Sequence, residues 1–386
     1  MFNFTALPPL SLYIHIPWCV KKCPYCDFNS HEGKNGLPET DYINAIVADL
    51  SQDLPRIWGR QVQSVFIGGG TPSLFSPEGM DQLLSNMRAM LQIQPLAEIT
   101  MEANPGTIDA GRFREYRALG INRLSIGVQS FNNDHLQRLG RVHDASEAIK
   151  AAELAHAIGF DNFNLDLMFG LPGQNIAQAQ ADIEQAIKLA PTHLSHYQLT
   201  LEPNTLFHSQ PPKALPEGDA IWAMQEACQE QLASANYGQY EVSAYAQPGK
   251  QCQHNLNYWE FGDYLGIGAG AHGKITHGAE QNITRLAKQR HPDKYIASAG
   301  QTEGISSLQV LDKHDAGLEF MMNALRLQDG FAPHLFSTHT GLPLKQVEAG
   351  LERAEAKGLI EWDIQRIRPT IMGQRFLNDL LNLFTE

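Results

Sequence analysis

Three cysteines, Cys19, Cys23 and Cys26, fall within eight positions, as Cys-Val-Lys-Lys-Cys-Pro-Tyr-Cys directly after an apolar run. Thiolates at this density hold metal. Three of them suit a cube of four irons and leave one iron without a protein ligand. Such an open iron can chelate an amino and a carboxylate group, and an electron passed through the cluster can split a bound sulfonium to give a carbon radical. The alternatives are a zinc site or three buried thiols. Zinc would want a fourth nitrogen or sulfur ligand, usually from a second pair. No second cysteine cluster exists, although His31 lies near. Cys228 and Cys252 stand alone, and five cysteines so distributed make a poor disulfide framework.

Other residues could complete a ligand site. Phe66-Ile-Gly68-Gly69-Gly70-Thr71-Pro72 ends a second apolar run, and glycines there let backbone approach a ligand closely. Taken alone it is also an ordinary tight turn. Glu102, Gln129, Arg141 and Asp166 stand at, beyond or inside the ends of later apolar runs. A carboxylate within such a run is costly to bury unless it is paired or binds a ligand. Glu102 and Asp166 could bond hydroxyls or an amine, and Arg141 could grip a carboxylate with both arms. Each of these residues, alone, reads equally well as a strand-end polar group or half of an ion pair.

The elements that must position these residues alternate. Strands are predicted at Ser11–Ile16, Val62–Ile67, Glu98–Glu102, Arg123–Val128, Asn162–Met168 and His193–Leu199, with a weaker one near Tyr240–Tyr245. Helical spacing lies between them, at Asp41–Leu54, Pro77–Leu91, Ile108–Leu119, Ala145–Ile158, Ile176–Leu189 and Asp219–Ala235. That order implies an α/β protein with parallel strands and right-handed crossovers, closing toward a partial (β/α)6, TIM-like barrel. Ligands then gather at the carboxyl ends of the strands. The barrel is expected over residues 1–281, a weakly periodic connector over 282–304, and a small winged-helix-like domain over 305–386. The last rests on helices at Leu311–Leu327, Leu344–Leu359 and Ile371–Phe384 and a β-like stretch at Ile364–Arg368.

Charge argues against nucleic acid. The chain of 386 residues carries a formal net charge of -13, and residues 339–386 hold six Lys/Arg against seven Asp/Glu. The small domain reads instead as a lid or docking module. No apolar stretch reaches membrane-spanning length and no signal-like segment opens the sequence, so a cytoplasmic protein is expected.

The ordered motifs resemble the HemN/HemW family of radical S-adenosylmethionine (SAM) proteins. They are Tyr13-Ile-His15-Ile-Pro-Trp-Cys19, the cysteine triad, Ile-Gly-Gly-Gly-Thr-Pro, Glu-Ala-Asn-Pro, Gly-Val-Gln-Ser-Phe, Asp-Leu-Met-Phe-Gly-Leu-Pro and Gln-Leu-Thr-Leu-Glu-Pro. The resemblance covers nearly the whole chain. It implies a radical SAM barrel with a [4Fe–4S] cluster on Cys19, Cys23 and Cys26, and SAM held by Tyr13, Gly69, Gly70, Thr71, Glu102, Gln129, Arg141 and Asp166. Two features divide the family. The oxygen-independent coproporphyrinogen III dehydrogenase carries a fourth cysteine two residues after the triad, where this chain has Phe28. The heme-chaperone branch carries HNxxYW, present as His254-Asn255-Leu-Asn-Tyr258-Trp259. Both favour the chaperone. What that implies is a carrier of heme to apoproteins such as membrane respiratory hemoproteins, with an electron donor for the cluster and a homodimer as further expected partners. The alternative is the dehydrogenase. An imidazole is a common heme ligand and aromatic rings pack on porphyrins, so His254, Tyr258 and Trp259 become candidate heme contacts, with Cys252 and His272 as weaker ones. A framework role for the motif remains open at this point. The glycines of Gly266–Gly273 are expected to bring backbone close to a flat ligand.

Overall fold

The computed structural model describes residues 2–33 and 36–385. Met1 and Glu386, the outer bounds of the expected domains, lie outside the described residues. Twelve strands, numbered β1–β12 along the chain, form one open sheet. The first six are parallel neighbours: β1 (Leu10–Ile16), β2 (Gln61–Gly69), β3 (Gln92–Ala103), β4 (Arg123–Gln129), β5 (Phe163–Phe169) and β6 (His193–Gln198). Helices Glu39–Asp53, Pro77–Met90, Ala110–Ala118, Ala145–Ile158 and Ile176–Lys188 link them. This is the expected partial barrel.

The strands have two faces because side chains alternate. On β1, Leu12, Ile14 and Ile16 are fully buried against the helices, each such side chain contributing about 1.5–3 kcal/mol. Ser11, Tyr13 and His15 turn to the opposite face, the barrel interior. Local signals set the helix ends. Ser76 caps Pro77–Met90, while Asp144 and Glu147 form a capping box.

After β6, helix Gly218–Ser234 leads to a hairpin, β7 (Gly238–Glu241) and β8 (Ala244–Ala246), with β8 antiparallel to β6. The chain then crosses back through helix Gln253–Trp259 to β9 (Asp263–Ile267), which lies parallel to β1 on its other edge. Strands β10 (His272–His277), β11 (Asn282–Lys288) and β12 (Ile305–Val310) extend that edge antiparallel.

The expected connector at 282–304 is therefore corrected: it holds β11 and helix Pro292–Ser298, and the sheet runs on to Val310. Buried charge hid it. Lys288 is buried in β11 and pairs with Asp49 and Asp53 of helix Glu39–Asp53, while Tyr295 bonds Asp49 at 2.7 Å. Lys274 of β10 pairs with Asp263 at 2.8 Å, which also accepts from Arg60 at 2.7 Å. Charges inside strands break the apolar pattern by which strands are recognised, and they are tolerated because each is paired.

The small domain has its own apolar core around Phe320, Phe331, Phe336, Leu351, Ile360, Ile367 and Leu380, reaching Phe261 and Ile283 of the barrel side. Helices Lys313–Ala324, Pro333–Thr340 and Glu348–Ala356 precede a hairpin, Ile360–Trp362 with Ile367–Pro369. The winged-helix-like order holds. The helix at Pro333–Thr340 was not expected, and the expected Ile371–Phe384 helix breaks at Phe376 into Ile371–Arg375 and Leu377–Asn382.

Candidate functional site

The cysteine loop leaves the end of β1. Residues Trp18–Cys19 and His31–Glu32 pair across its base, and the amides of Gly70 and Thr71 donate to the carbonyls of Ile16 and Trp18, each at 2.7 Å. The three thiols are partly exposed and reduced. Donors surround them. Arg141 reaches Cys23 Sγ at 3.5 Å, Thr71 Oγ1 donates to Cys19 Sγ at 3.6 Å, and Ser30 Oγ lies 3.9 Å from Cys26 Sγ. Burial pushes the Cys19 and Cys26 thiols up, and these hydrogen bonds pull against it. Such donors favour thiolates, the form that binds metal. The sulfurs are too far apart for all three to hold one ion. Among the described residues only Asp312, His314 and Asp315 bring three ligand atoms within 4.8 Å of one another. The triad thus fits a multi-iron cluster better than a single zinc.

Behind the loop a cavity of about 490 Å³ runs into the barrel. Cys19, Cys23, Cys26, Gly69, Gly70, Thr71, Glu102, Gln129, Arg141 and Asp166 all line it. These residues come from six different segments, so their convergence is the product of the fold. Gly69 has φ +117, and a Cβ there would lie 2.5 Å from the His15 ring; one on Gly70 would meet the Trp18 carbonyl at 2.5 Å. The glycine turn is constrained first by the protein's own packing. Gly69 N donates to Glu102 Oε2 at 2.9 Å. Burial holds the Glu102 carboxyl up at about 8; the Gly69 N–H lowers it and nearby Asp166 raises it. Asp166 is raised too, by burial, against hydrogen bonds from Asn164, Ser195 and Ser125. Arg141 also donates to the Gly127 carbonyl at 2.7 Å, while its buried Nε has no partner among the described residues. Half-buried carboxylates and an unsatisfied guanidinium atom at one cavity are what an amino-acid ligand would satisfy. Gln129, at φ 70, accepts from Tyr197 at 2.7 Å.

Tyr13 is the exception among the expected SAM residues. It lines a neighbouring cavity of about 640 Å³ with Phe28, Tyr258, Tyr264, His272 and Arg290. Its hydroxyl bonds His15 Nδ1 at 3.0 Å. The two cavities meet at Phe28, Gly69 and Glu102, which line both.

The HNxxYW motif forms helix Gln253–Trp259, packed across β1 and β2. Glu98 accepts from the Gln253 and His254 amides at 3.0 and 3.4 Å, an acid at the positive end of the helix. His254 and Tyr258 share one helix face, one turn apart. His254 Nδ1 bonds Ser64 Oγ at 3.0 Å, Ser64 bonds Ser11 at 2.8 Å, and His254 Nε2 bonds the Tyr258 hydroxyl at 3.0 Å. The ring is 1% exposed, packs on Phe66, and burial drops its pKa to about 3. Both nitrogens are engaged and no lone pair faces a cavity. The expectation that His254 ligates heme iron is revised accordingly. Tyr258 lines the larger cavity, whereas Trp259 and Asn255 floor the cysteine cavity. The three expected heme contacts do not converge on one ligand; the helix is the partition between two cavities. Cys252 is fully buried beside Glu98, whereas His272 is exposed at a cavity wall. The glycines at 266–273 serve the chain: a Cβ would strike His272 backbone at Gly266, His15 at Gly268 and Asn29 at Gly270.

Several lining residues escaped the sequence reading: Arg123 and Ser125 of β4, Asn164 of β5, Ser195 and Tyr197 of β6, and Arg326 from the small domain. The strand residues alternate with buried Leu124, Leu165 and Leu194. That period of two inside apolar runs was the available signal. Arg326 had none; its guanidinium comes from the small domain and lies 4.5 Å from the Trp259 ring centroid.

Comparison with known proteins follows this division. The radical SAM superfamily model matches residues 13–186 and the HemN C-terminal domain model matches residues 311–376. The chain is 51% identical to the heme chaperone HemW of Escherichia coli (strain K12), covering 98% of both chains. It is 33% identical to the heme chaperone HemW of Bacillus subtilis (strain 168), covering 97% of this chain and 98% of that one. Among solved structures, coproporphyrinogen III oxidase (HemN) from Escherichia coli superposes with a TM-score of 0.83 over 98% of this chain and 90% of its own. At 23% identity that is a likeness of fold.

Proposed function

The chain belongs to the HemW family, and from that premise we propose that it is a heme carrier that takes up heme and hands it to apoproteins. Cys19, Cys23 and Cys26 would hold a [4Fe–4S] cluster. Gly69, Gly70, Thr71, Glu102, Gln129, Arg141 and Asp166 would hold SAM, with Tyr13 at the wall of the adjoining cavity. The cluster and SAM together supply radical chemistry when bound. Arg141 and Thr71 steady the sulfurs, and Glu102 and Asp166 offer carboxylates to an amine or to hydroxyls. Heme acceptors at a membrane surface, an electron donor and a homodimer belong to the same reading, in the cytoplasm; no described helix is long and apolar enough to cross a membrane.

The observation that carries the carrier reading over the dehydrogenase is position 28. A phenylalanine, 59% exposed, stands where the dehydrogenase has its fourth cysteine, and it borders both cavities. The test is an anaerobic assay of the cluster-loaded chain with reductant, SAM and coproporphyrinogen III. No protoporphyrinogen IX is expected. Sustained turnover, even at about 1 per second or slower as befits a demanding radical step, would favour the dehydrogenase.

A further inference from the structure

Resting on the heme-carrier reading, we propose that heme is seated in the larger cavity, with His272 as its iron ligand and Arg290 meeting a propionate. The cavity, about 640 Å³, lies within the range of about 300–1,000 Å³ typical of cofactor sites. Its wall is part aromatic and part polar, with Asp27, Asn29, Glu102, Ser306 and Ser307 among the polar residues. Tyr258 and Tyr264 meet edge to face at 4.5 Å between ring centroids, and exposed Phe28 stands at the junction with the cysteine cavity. A large exposed ring at a cavity rim is apolar surface that a flat ligand would cover.

Two histidines line this cavity, His15 and His272. His15 is committed: Nδ1 to the Tyr13 hydroxyl at 3.0 Å and Nε2 to the Asn29 carbonyl at 2.9 Å. The His272 ring has no hydrogen-bond partner among the described residues and is exposed. Its backbone is nevertheless fixed, paired with Ala287 at the start of β10, so an open imidazole stands on a rigid element. Imidazole is a standard axial ligand of heme iron. Arg290 also lines the cavity, exposed, and its guanidinium pairs with no acid among the described residues. On a chain of net charge -13, heme propionates need such a local cation, because overall attraction is absent.

The experiment titrates hemin into the full chain, anaerobically reconstituted with its cluster, and follows the Soret band. Cluster absorption serves as the check that each variant is folded. His272→Ala is expected to move the band and weaken heme binding by at least about tenfold, since losing even a hydrogen-bond partner of a metal ligand typically costs about 10–100-fold. Added imidazole should restore the band position. Arg290→Glu should weaken binding and leave the band in place, and His254→Gln should leave it in place too. If wild type takes up heme and His272→Ala binds it with the same band and affinity, the assignment is wrong while the carrier reading survives. If wild type takes up no heme, both fall.

Discussion

The two cavities meet at three residues yet are built in opposite ways. The cysteine cavity is assembled from the parallel strands and the loops that follow them, with ligand-type residues one after another from Cys19 to Asp166. The larger cavity is assembled from remote segments: Phe28 from the cysteine loop, Tyr258 from the crossing helix, Tyr264 from β9, His272 from β10 and Arg290 beyond β11. The first carries half-buried carboxylates and a guanidinium nitrogen without a partner among the described residues. The second carries aromatic rings, an open imidazole and a cation with no acid partner among the described residues. A repeating βα unit places chemistry at predictable points of the chain. An antiparallel extension places it by topology alone.

The comparison can be broken in three places. The largest effect is expected at the cysteines: Cys23→Ser should abolish iron–sulfur absorption after reconstitution, while Cys228→Ser, at a thiol buried in the apolar core, should leave it intact. A requirement for Cys228 would mean that the open-iron arrangement is misassigned. Next comes the partition. His254→Ala removes a buried ring, leaves the Tyr258 hydroxyl without its partner and leaves Ser64 with Ser11 alone, so a loss of about 2–4 kcal/mol is expected from urea unfolding. A neutral substitution would show that the helix is held elsewhere.

The smallest effect concerns Glu102. A carboxyl whose pKa rises from 4.5 unfolded to about 8 folded binds more protons in the native state. It therefore costs nothing below pH 4.5 and progressively destabilises the ligand-free fold up to about pH 8. Glu102→Gln should gain stability relative to wild type as the pH rises from 4.5 to about 8, and nothing near pH 4.5. Parallel stability curves for the two proteins would show that the carboxyl is already well solvated.

The contrast also explains what could be read from the sequence. The six barrel strands and part of the cysteine-cavity lining, from Cys19 to Asp166, were legible, because apolar runs ending in Gly-Gly-Gly or Glu-Ala-Asn-Pro carry both structure and site in one local pattern. Tyr13 was legible as a motif residue but not its cavity, since nothing local says which wall a strand residue faces where two cavities adjoin. Strands β10 and β11 were obscured by Lys274 and Lys288, whose acid partners lie in other elements. The HNxxYW pattern was visible, but its ring nitrogens meet Ser64 and Tyr258, and only Tyr258 is near in sequence. A histidine with both nitrogens satisfied cannot be told from an open one without coordinates.

The central claim is that one chain holds SAM and heme in separate, adjoining cavities. Equilibrium dialysis of labelled SAM against the reconstituted chain, with and without saturating hemin, tests it most directly. About one SAM per chain is expected in both conditions, with heme bound at about the same stoichiometry. Displacement of SAM by heme, one for one, would mean that both compete for the cysteine cavity and would contradict it.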